Sequence, residues 1–402
     1  MKPVVVILGC LVLVSCTPTP PTDPQTLAQQ LLIVDTHIDV PFRLRNRPDD
    51  VAQATETGDF DYPRAKAGGL DALFMSIYIP ATVDASGDAA SLADELIDSV
   101  EALVADAPDK FAIASCAADI DDIKSRGLIA FPLGMENGGP IAGSFDNLRH
   151  FYDRGIRYVT LTHSNVNHIS DSSYDLFKRW KGLSPFGKTL IAEMNRLWVM
   201  VDVSHVSDAT FWQVIELSTA PVIASHSSLR HFTSGLERNL TDEMVTALGE
   251  NGGVVQINFG TGFLTEAGQQ YRTQSRKDAL AYAFTHQLEP GDPELMSFLA
   301  DYRLEHPYPF ATLDDVLDHF DRAVQLAGID HVGIGSDYDG VGDSLPTGLK
   351  DVSQYPNLVA GFLERGYDNE AIAKLLGGNL MRVWRAVEAV AAQQGNAPQC
   401  ST

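Results

Sequence analysis

Short apolar segments recur along the chain from Leu32 onward, and amphipathic segments lie between them. Segments such as Ser91–Ala105 repeat leucine and valine with helical spacing. Strands that alternate with helices form parallel sheets, and eight such units predict a (β/α)8 barrel, a TIM-type α/β fold. The eight predicted strands are Leu32–Ile38, Ala72–Ile79, Leu128–Glu136, Ile156–His163, Trp198–His205, Pro221–His226, Gly253–Phe259 and His331–Asp337.

One segment interrupts this alternation. Residues from about 261 to 309 are polar and separate the seventh predicted strand from the eighth. They include two helix-like stretches, Asp278–Gln287 and Asp292–Glu305. We therefore predict a helical insertion at the top of the barrel, placed as a lid over it. Thr312–Asp315 then has the pattern of a capping box that opens the helix before the eighth strand.

The N-terminal residues have the pattern of an export signal. The apolar run Val4–Val14 is too short to span a bilayer, and a small residue stands before Cys16. This pattern resembles a bacterial lipoprotein signal, with residues 1–15 as signal peptide, lipid attachment at Cys16, and a Pro/Thr-rich linker over 16–26. Thr17, rather than Asp, after the cysteine favours the periplasmic face of the outer membrane. A secretory signal cleaved without lipid attachment is the alternative.

Composition agrees with one large globular domain and excludes some functions. The chain has 402 residues, 45% hydrophobic and 20% charged, so we assign residues 27–392 to the barrel and 393–402 to a polar tail. The formal net charge of −24 opposes nucleic-acid binding, which needs a basic surface. Of the four cysteines, only Cys116 and Cys400 lie in the body of the chain, and sequence leaves their pairing open.

Polar side chains collect where the predicted strands end. In α/β barrels these carboxyl ends form the active-site face, and four of the 11 histidines fall there. Three imidazoles and two carboxylates, from His37, Asp39, Glu136, His205 and His226, form a donor set that suits zinc. A carboxylate shared by two cations would make a binuclear centre that activates water and polarises a carbonyl. The candidates are His37, Asp39, Glu136, His163, His205, His226 and Asp337.

Other polar residues have simpler interpretations. Glu136 alone could cap a helix, and His163 alone could be a buried, hydrogen-bonded histidine. We interpret Asp339 as an acceptor for loop amides. Seven histidines lie in predicted loops, helices or strand starts, and we interpret them as solvated or hydrogen-bonded in place: His150, His168, His231, His286, His306, His319 and His331.

The motifs at the strand ends resemble those of the membrane (renal) dipeptidase family. Their order and spacing match from about Leu32 to Val387. That family is a zinc-dependent barrel of the amidohydrolase type that cleaves dipeptides and often accepts a D-residue at the C-terminal position. The matching motifs are Asp35–Asp39, Gly134–Gly138, Thr160–Asn165, Val201–His205, Ser225–Ser228, Arg238–Asn239 and Gly333–Gly340.

The resemblance implies two Zn²⁺ ions per chain. His37, Asp39 and a bridging Glu136 would hold one zinc. The same Glu136, with His205 and His226, would hold the other. The implied reaction is hydrolysis of dipeptides, including L-Xaa-D-Xaa, by attack of a metal-bridging hydroxide.

The resemblance also implies roles toward the substrate. His163 would polarise the scissile carbonyl and stabilise the oxyanion. Arg238 would bind the free carboxylate of the dipeptide, although Arg230 is a nearby competitor in a loop of variable length. Asp337 would take the proton from the attacking hydroxide and pass it to the leaving amine.

Two other functions use the same residues. One is a different binuclear hydrolase that acts on N-acyl amino acids or lactones. The other is a metal-binding or scaffolding lipoprotein without catalysis, which the complete ligand set and Asp337 disfavour. The expected partners are small dipeptides and, through the lipid anchor, a membrane, with no nucleic acid; a homodimer is left open.

Overall fold

The computed structural model describes residues 23–289, 291–396 and 400. The predicted signal peptide, the predicted lipid-attachment residue Cys16 and residues 17–22 of the predicted linker lie outside these residues. Residues 24–26 of that linker instead form the start of the first helix. In the part of the chain that is described, no helix is both long and apolar enough to cross a membrane.

All eight predicted strands are present, and their hydrogen-bonded partners are all parallel. Ten strands are formed in total: β1 Ile33–Ile38, β2 Leu70–Tyr78, β3 Phe111–Ile113, β4 Ile129–Phe131, β5 Leu133–Glu136, β6 Ile156–Thr160, β7 Met200–Asp202, β8 Ile223–Ala224, β9 Val254–Ile257 and β10 Val332–Ile334.

Eight of these strands close into a barrel, which confirms the predicted fold class. Their order is β1-β10-β9-β8-β7-β6-β5-β2, and pairing of β1 with β2 completes the ring. The predicted strand Leu128–Glu136 is divided into β4 and β5 at Pro132, which has no N–H to donate to a neighbouring strand. The short strand β3, which the sequence pattern did not predict, pairs only with β4 at the side of the barrel.

Helices surround this barrel in the order expected for alternating units: α1 Pro24–Gln30, α2 Val40–Asn46, α3 Tyr62–Gly68, α4 Ala81–Ser86, α5 Ala89–Asp106, α6 Ala117–Ser125, α7 Phe145–Asp153, α8 Pro185–Arg196, α9 Asp208–Leu217, α10 Asp242–Glu250, α11 Thr261–Leu264, α12 Glu266–His286, α13 Pro293–Glu305, α14 Leu313–Ala327, α15 Tyr355–Glu364, α16 Asn369–Ala373 and α17 Asn379–Gln393. Because helices cover the sheet, every residue of β1 and of β5 to β10 is buried.

Between β9 and β10 the chain forms α11, α12 and α13 before it returns to the barrel with α14. Helix α12 begins at Glu266, well before the predicted Asp278, because Thr265 caps it by accepting from the N–H of Gly268. Helix α14 begins with the predicted capping box, in which Thr312 and Asp315 each bond the other's backbone N–H.

Two contacts fix the ends of the described chain. Helix α1 lies at the N-terminal ends of the strands, where Gln25 and Gln29 donate to the carbonyl oxygens of Ala67 (2.8 Å) and Lys66 (2.9 Å) just before β2. At the other end, Cys400 forms a disulfide with Cys116, a pairing that the sequence had left open.

His319 on α14 is fully buried and joins two loops on the active-site side of the barrel. Its Nδ1 accepts from the N–H of Leu229 at 3.1 Å, and its Nε2 lies 3.0 Å from the carbonyl oxygen of Leu264. This arrangement requires a neutral ring, with its hydrogen on Nε2. Burial lowers the pKa of His319 to about 4.

We expect His319 to make the fold less stable in mild acid. The unfolded chain binds a proton near pH 6.5 and the folded chain only near pH 4, so the stabilisation is complete above pH 6.5 and falls as the pH drops toward 4. Lowering the pH from 7.5 to 5.0 should reduce the free energy of unfolding by about 2 kcal/mol through this histidine. Urea unfolding of wild type and His319→Gln at both pH values measures the difference. An equal pH dependence in the two proteins would contradict the assignment.

Candidate active site

The predicted candidates meet at the mouth of the barrel. His37 lies in β1 and Glu136 ends β5, whereas His163, His205, His226 and Asp337 follow the ends of β6, β7, β8 and β10 within three residues. Asp39 follows β1 and precedes α2. Neighbouring parallel strands therefore place all seven side chains at one end of the barrel, as the strand-end pattern predicted.

Glu136 is the centre of this cluster. Its Oε2 lies 3.4 Å from Nε2 of His37, and its Oε1 lies 3.0 Å and 3.2 Å from Nε2 of His205 and His226. Nε2 of His163 is 3.5 Å from the same Oε1, and Oδ2 of Asp39 is 3.5 Å from Nε2 of His37. One oxygen of this carboxylate thus faces a single imidazole and the other faces three.

The surroundings fix which nitrogen of His226 faces Glu136. The hydroxyl of Ser225 donates to Oδ2 of Asp202 at 2.6 Å, so its oxygen is free to accept from Nδ1 of His226 at 2.7 Å. The hydrogen of the neutral ring then lies on Nδ1, and Nε2 keeps its lone pair. A carboxylate, a hydroxyl and an imidazole in series form the outer support that metal-binding histidines have.

His37 is oriented in the same way. Tyr158 donates its hydroxyl hydrogen to the carbonyl oxygen of Thr36 (3.1 Å) and accepts from Nδ1 of His37 (2.8 Å). The Tyr158 ring packs against Gly134, where any Cβ would overlap it. Nε2 of His37 is buried and has no hydrogen-bond partner among the described residues. It faces the carboxylates of Asp39 and Glu136.

The electrostatic surroundings of His37, His205 and His226 suit a bound cation. Burial lowers the pKa of His37, but Tyr158, Glu136 and Asp39 raise it further, so that it lies well above its ordinary value. Burial and neighbouring positive groups hold the pKa values of His205 and His226 well below theirs, so both rings are neutral. Their Nε2 atoms are nevertheless only 2.8 Å apart. Imidazoles and carboxylates in this arrangement fit a divalent metal such as zinc.

Asp337 lies beside this donor set and is held by Asn258, whose Nδ2 donates to its Oδ2 at 2.7 Å. Burial, and then the nearby Asp39 and Glu136, raise the pKa of Asp337 to about 8. Asp337 and His205 also have positive φ values of 64° and 67°. Residues other than glycine are uncommon in that region, and such residues cluster at active sites.

Arg238 lies against the same cluster, whereas Arg230 does not. Arg238 is buried, and its guanidinium donates to the hydroxyl of Ser227 and to the carbonyl oxygen of His226, each at 2.7 Å. Arg230 instead forms an ion pair with Asp208 at 2.6 Å.

The remaining polar predictions have mixed outcomes. Asp339 accepts from the N–H of Asp59 at 2.6 Å and pairs with Arg43 at 2.9 Å, which confirms its interpretation as an acceptor for loop amides. His319 is hydrogen-bonded in place as interpreted. Nε2 of His168, by contrast, is buried without a partner among the described residues.

Several supporting residues were not predicted from the sequence. Tyr158, Asp202, Ser225 and Asn258 orient the candidates through the hydrogen bonds described above. The sequence does carry a signal for Tyr158. It lies in a fully buried strand, where a tyrosine hydroxyl needs a polar partner inside the barrel.

A closed parallel barrel with neutral imidazoles and carboxylates at its mouth has the architecture of a metal-dependent hydrolase. Residues 23–398 match the family model described as membrane dipeptidase, peptidase family M19. The chain therefore belongs to the M19 membrane dipeptidase family and is a metallo-dipeptidase.

Individual relatives agree with this assignment. Dipeptidase 3 of Mus musculus is 32% identical over 384 residues, which cover 92% of this chain and 68% of the mouse protein. The crystal structure of the probable dipeptidase PvdM from Pseudomonas aeruginosa superposes with a TM-score of 0.79 and 28% identity, covering 92% of this chain and 98% of that one. A metallo peptidase from Rhodobacter sphaeroides, liganded with a phosphinate mimic of the dipeptide L-Ala-D-Ala, has a TM-score of 0.72 and 26% identity, covering 89% and 99%.

Proposed function

We propose that this dipeptidase uses two zinc ions per chain and cleaves dipeptides with free termini, including L-Xaa-D-Xaa. The observation that carries the proposal is the position of Glu136, whose two oxygens face His37 on one side and His205 with His226 on the other. Asp39 would complete the first group of ligands. Divalent cations bound there would activate water and polarise the substrate carbonyl.

His163 is proposed to act on the scissile carbonyl. Burial lowers its pKa, so the ring is neutral, and its Nδ1 lies 2.7 Å from the hydroxyl of Ser164. With Ser164 as donor, Nε2 carries the hydrogen and can donate to the carbonyl oxygen as charge develops on it. The Tyr78 ring, 4.8 Å away edge to face, holds the imidazole in place.

Asp337 is proposed to hold and transfer the proton. Its carboxyl group is buried beside Asp39 and is oriented by Asn258. Its pKa, raised to about 8 by burial, supports a role in holding a proton, and bound cations would lower that value. A carboxyl group that can both take and release a proton near neutral pH suits transfer to the leaving amine.

Arg238 is proposed to bind the free carboxylate of the substrate. Its Nε is buried without a partner among the described residues, and a guanidinium binds carboxylates well. If the enzyme binds only the scissile carbonyl and this carboxylate, then the configuration at the C-terminal Cα has less effect on the rate of cleavage. The Rhodobacter sphaeroides relative, which is liganded with an L-Ala-D-Ala mimic, supports this expectation.

A substrate panel tests the proposed function. We expect purified enzyme to cleave L-Ala-L-Ala and L-Ala-D-Ala at comparable rates, and to cleave D-Ala-L-Ala, tri-alanine, the dipeptide amide and N-acetyl-dialanine poorly. The last two substrates lack one terminal charge each and serve as matched controls. Preference for the N-acetylated substrate would overturn the proposal and favour the hydrolase of N-acyl amino acids, and preference for the amide would overturn the proposed carboxylate contact.

We also propose that the protein is lipid-anchored through Cys16 on the periplasmic face of the outer membrane. The lipoprotein-like residues before Cys16 and the Pro/Thr-rich residues after it support this proposal. We expect Cys16→Ser to release the enzyme from the membrane fraction or to block its processing, with Cys10→Ser as control. A variant that fractionates with membranes like wild type would refute the anchor.

A further inference from the structure

A cavity of about 1030 Å³ opens above the metal-ligand cluster. This volume is at the upper end of the range for small-molecule sites, and a dipeptide would leave part of it unfilled. Glu136, His163 and His205 form part of its floor, and residues of α12 and α13 form one wall. The wall therefore comes from the segment between β9 and β10, which takes no part in the metal-ligand cluster.

Arginines and carboxylates both line the cavity, five of the former and six of the latter. The chain has 29 Lys and Arg against 53 Asp and Glu, yet five arginines line this one cavity: Arg43, Arg47, Arg272, Arg276 and Arg303. Arg43 pairs with Asp339 at 2.9 Å and Arg303 with Asp343 at 2.8 Å. The other three have no carboxylate within 4.0 Å in the described part of the chain, so their charge is available to a ligand.

Arg272 is the best placed of the three. Its guanidinium lies 4.8 Å from the centre of the Phe263 ring, and the guanidinium of Arg238 lies 5.4 Å from the same centre. Its one hydrogen-bond partner in the described structure is the hydroxyl of Tyr174, at 3.3 Å. A guanidinium without a carboxylate partner thus faces the cavity and packs on the same aromatic ring as Arg238.

We propose that Arg272, assisted by Arg276 one turn further along α12, binds a second carboxylate on the substrate. Because Arg272 and Arg238 both pack on the Phe263 ring, we assign this carboxylate to the side chain of the C-terminal residue. The enzyme then prefers dipeptides that end in aspartate or glutamate. This inference rests on the proposed dipeptidase function, and it adds the side-chain class that the enzyme selects.

The test compares L-Ala-L-Asp with its neutral isostere L-Ala-L-Asn, and with L-Ala-L-Ala, in wild type and two variants. Arg272→Met removes the proposed contact. Lys277→Met is the matched control, because it removes the same charge from an exposed position of α12 that does not line the cavity. The readout is the ratio of kcat/KM for the aspartyl substrate to kcat/KM for the asparaginyl substrate.

We expect wild type and Lys277→Met to favour L-Ala-L-Asp by about ten-fold or more, as one charge-assisted contact allows. Arg272→Met should abolish that preference and leave kcat/KM for L-Ala-L-Ala within about two-fold of wild type. A wild-type enzyme without acidic preference would overturn the inference. An Arg272→Met enzyme whose kcat/KM falls equally for all three substrates would also overturn it. If no dipeptide is cleaved by wild type, the proposed function itself has failed.

Discussion

Glu136→Gln is expected to deplete the bound metal and to lower kcat/KM by at least about 100-fold, because even the loss of an outer partner of a metal ligand costs about 10–100-fold. The amide is neutral, and its NH2 group is a donor where a second lone pair is needed. Since the Glu136 oxygens lie within 3.4 Å of His37, His205 and His226, one substitution disturbs both groups of ligands.

Metal content per chain, measured by mass spectrometry on protein purified without chelators, tests this expectation together with kcat/KM. We expect two ions in wild type and fewer than one in Glu136→Gln. Glu95→Gln is the matched control, because Glu95 forms an exposed ion pair with Arg45, and such pairs contribute little. A fully active wild-type enzyme with one ion per chain would contradict the bridging role of Glu136.

Asp337→Asn is expected to lower kcat by about 10²–10⁴-fold, the range that proton transfer contributes, with little change in KM or metal content. Asparagine keeps the shape and can still contact Asn258, but it cannot take a proton. If Asp337 must be ionised to act, then kcat/KM in wild type rises with pH through its pKa. This acidic limb should be missing from the profile of the variant.

The control for this variant is Asp343→Asn, which removes an exposed carboxylate at the rim of the same cavity. We expect it to keep kcat near the wild-type value. If Asp337→Asn loses metal in proportion to its activity, Asp337 is a ligand rather than a proton carrier. His37, Asp39 and Asp337 offer donor atoms within 4.8 Å of one another, so metal content is the measurement that separates the two roles.

The barrel could be predicted from sequence because its strands are buried on both faces and therefore read as short apolar runs. The break at Pro132 and the side strand β3 could not. Pro132 lies inside an otherwise apolar run, and Phe111–Ile113 is only three residues long. The early start of α12 at Glu266 was missed because only Gly268 of that helix is buried, so no apolar stripe marks its first turns.

The site was predictable to the extent that it depends on strand ends. His37, Glu136 and His226 follow from the rule that parallel strands present their carboxyl ends at one edge. The atoms that orient them do not follow from any local pattern. Tyr158 bonds His37 across 121 residues of sequence, and Asp202 contacts the His226 ring through the hydroxyl of Ser225. Arg272 lies in a helix whose sequence gives no indication that it faces the cavity.

The position of α1 has a consequence for how the enzyme meets its substrate. Gln25 and Gln29 bond the last residues of α3, at the end of the barrel opposite the metal-ligand cluster. The described chain therefore begins on the side of the barrel that faces away from the cavity. The proposed lipid anchor, if it extends from that side, would orient the cavity away from the membrane. Substrate would then arrive from the surrounding fluid, as small diffusing peptides do, and not from the plane of a bilayer.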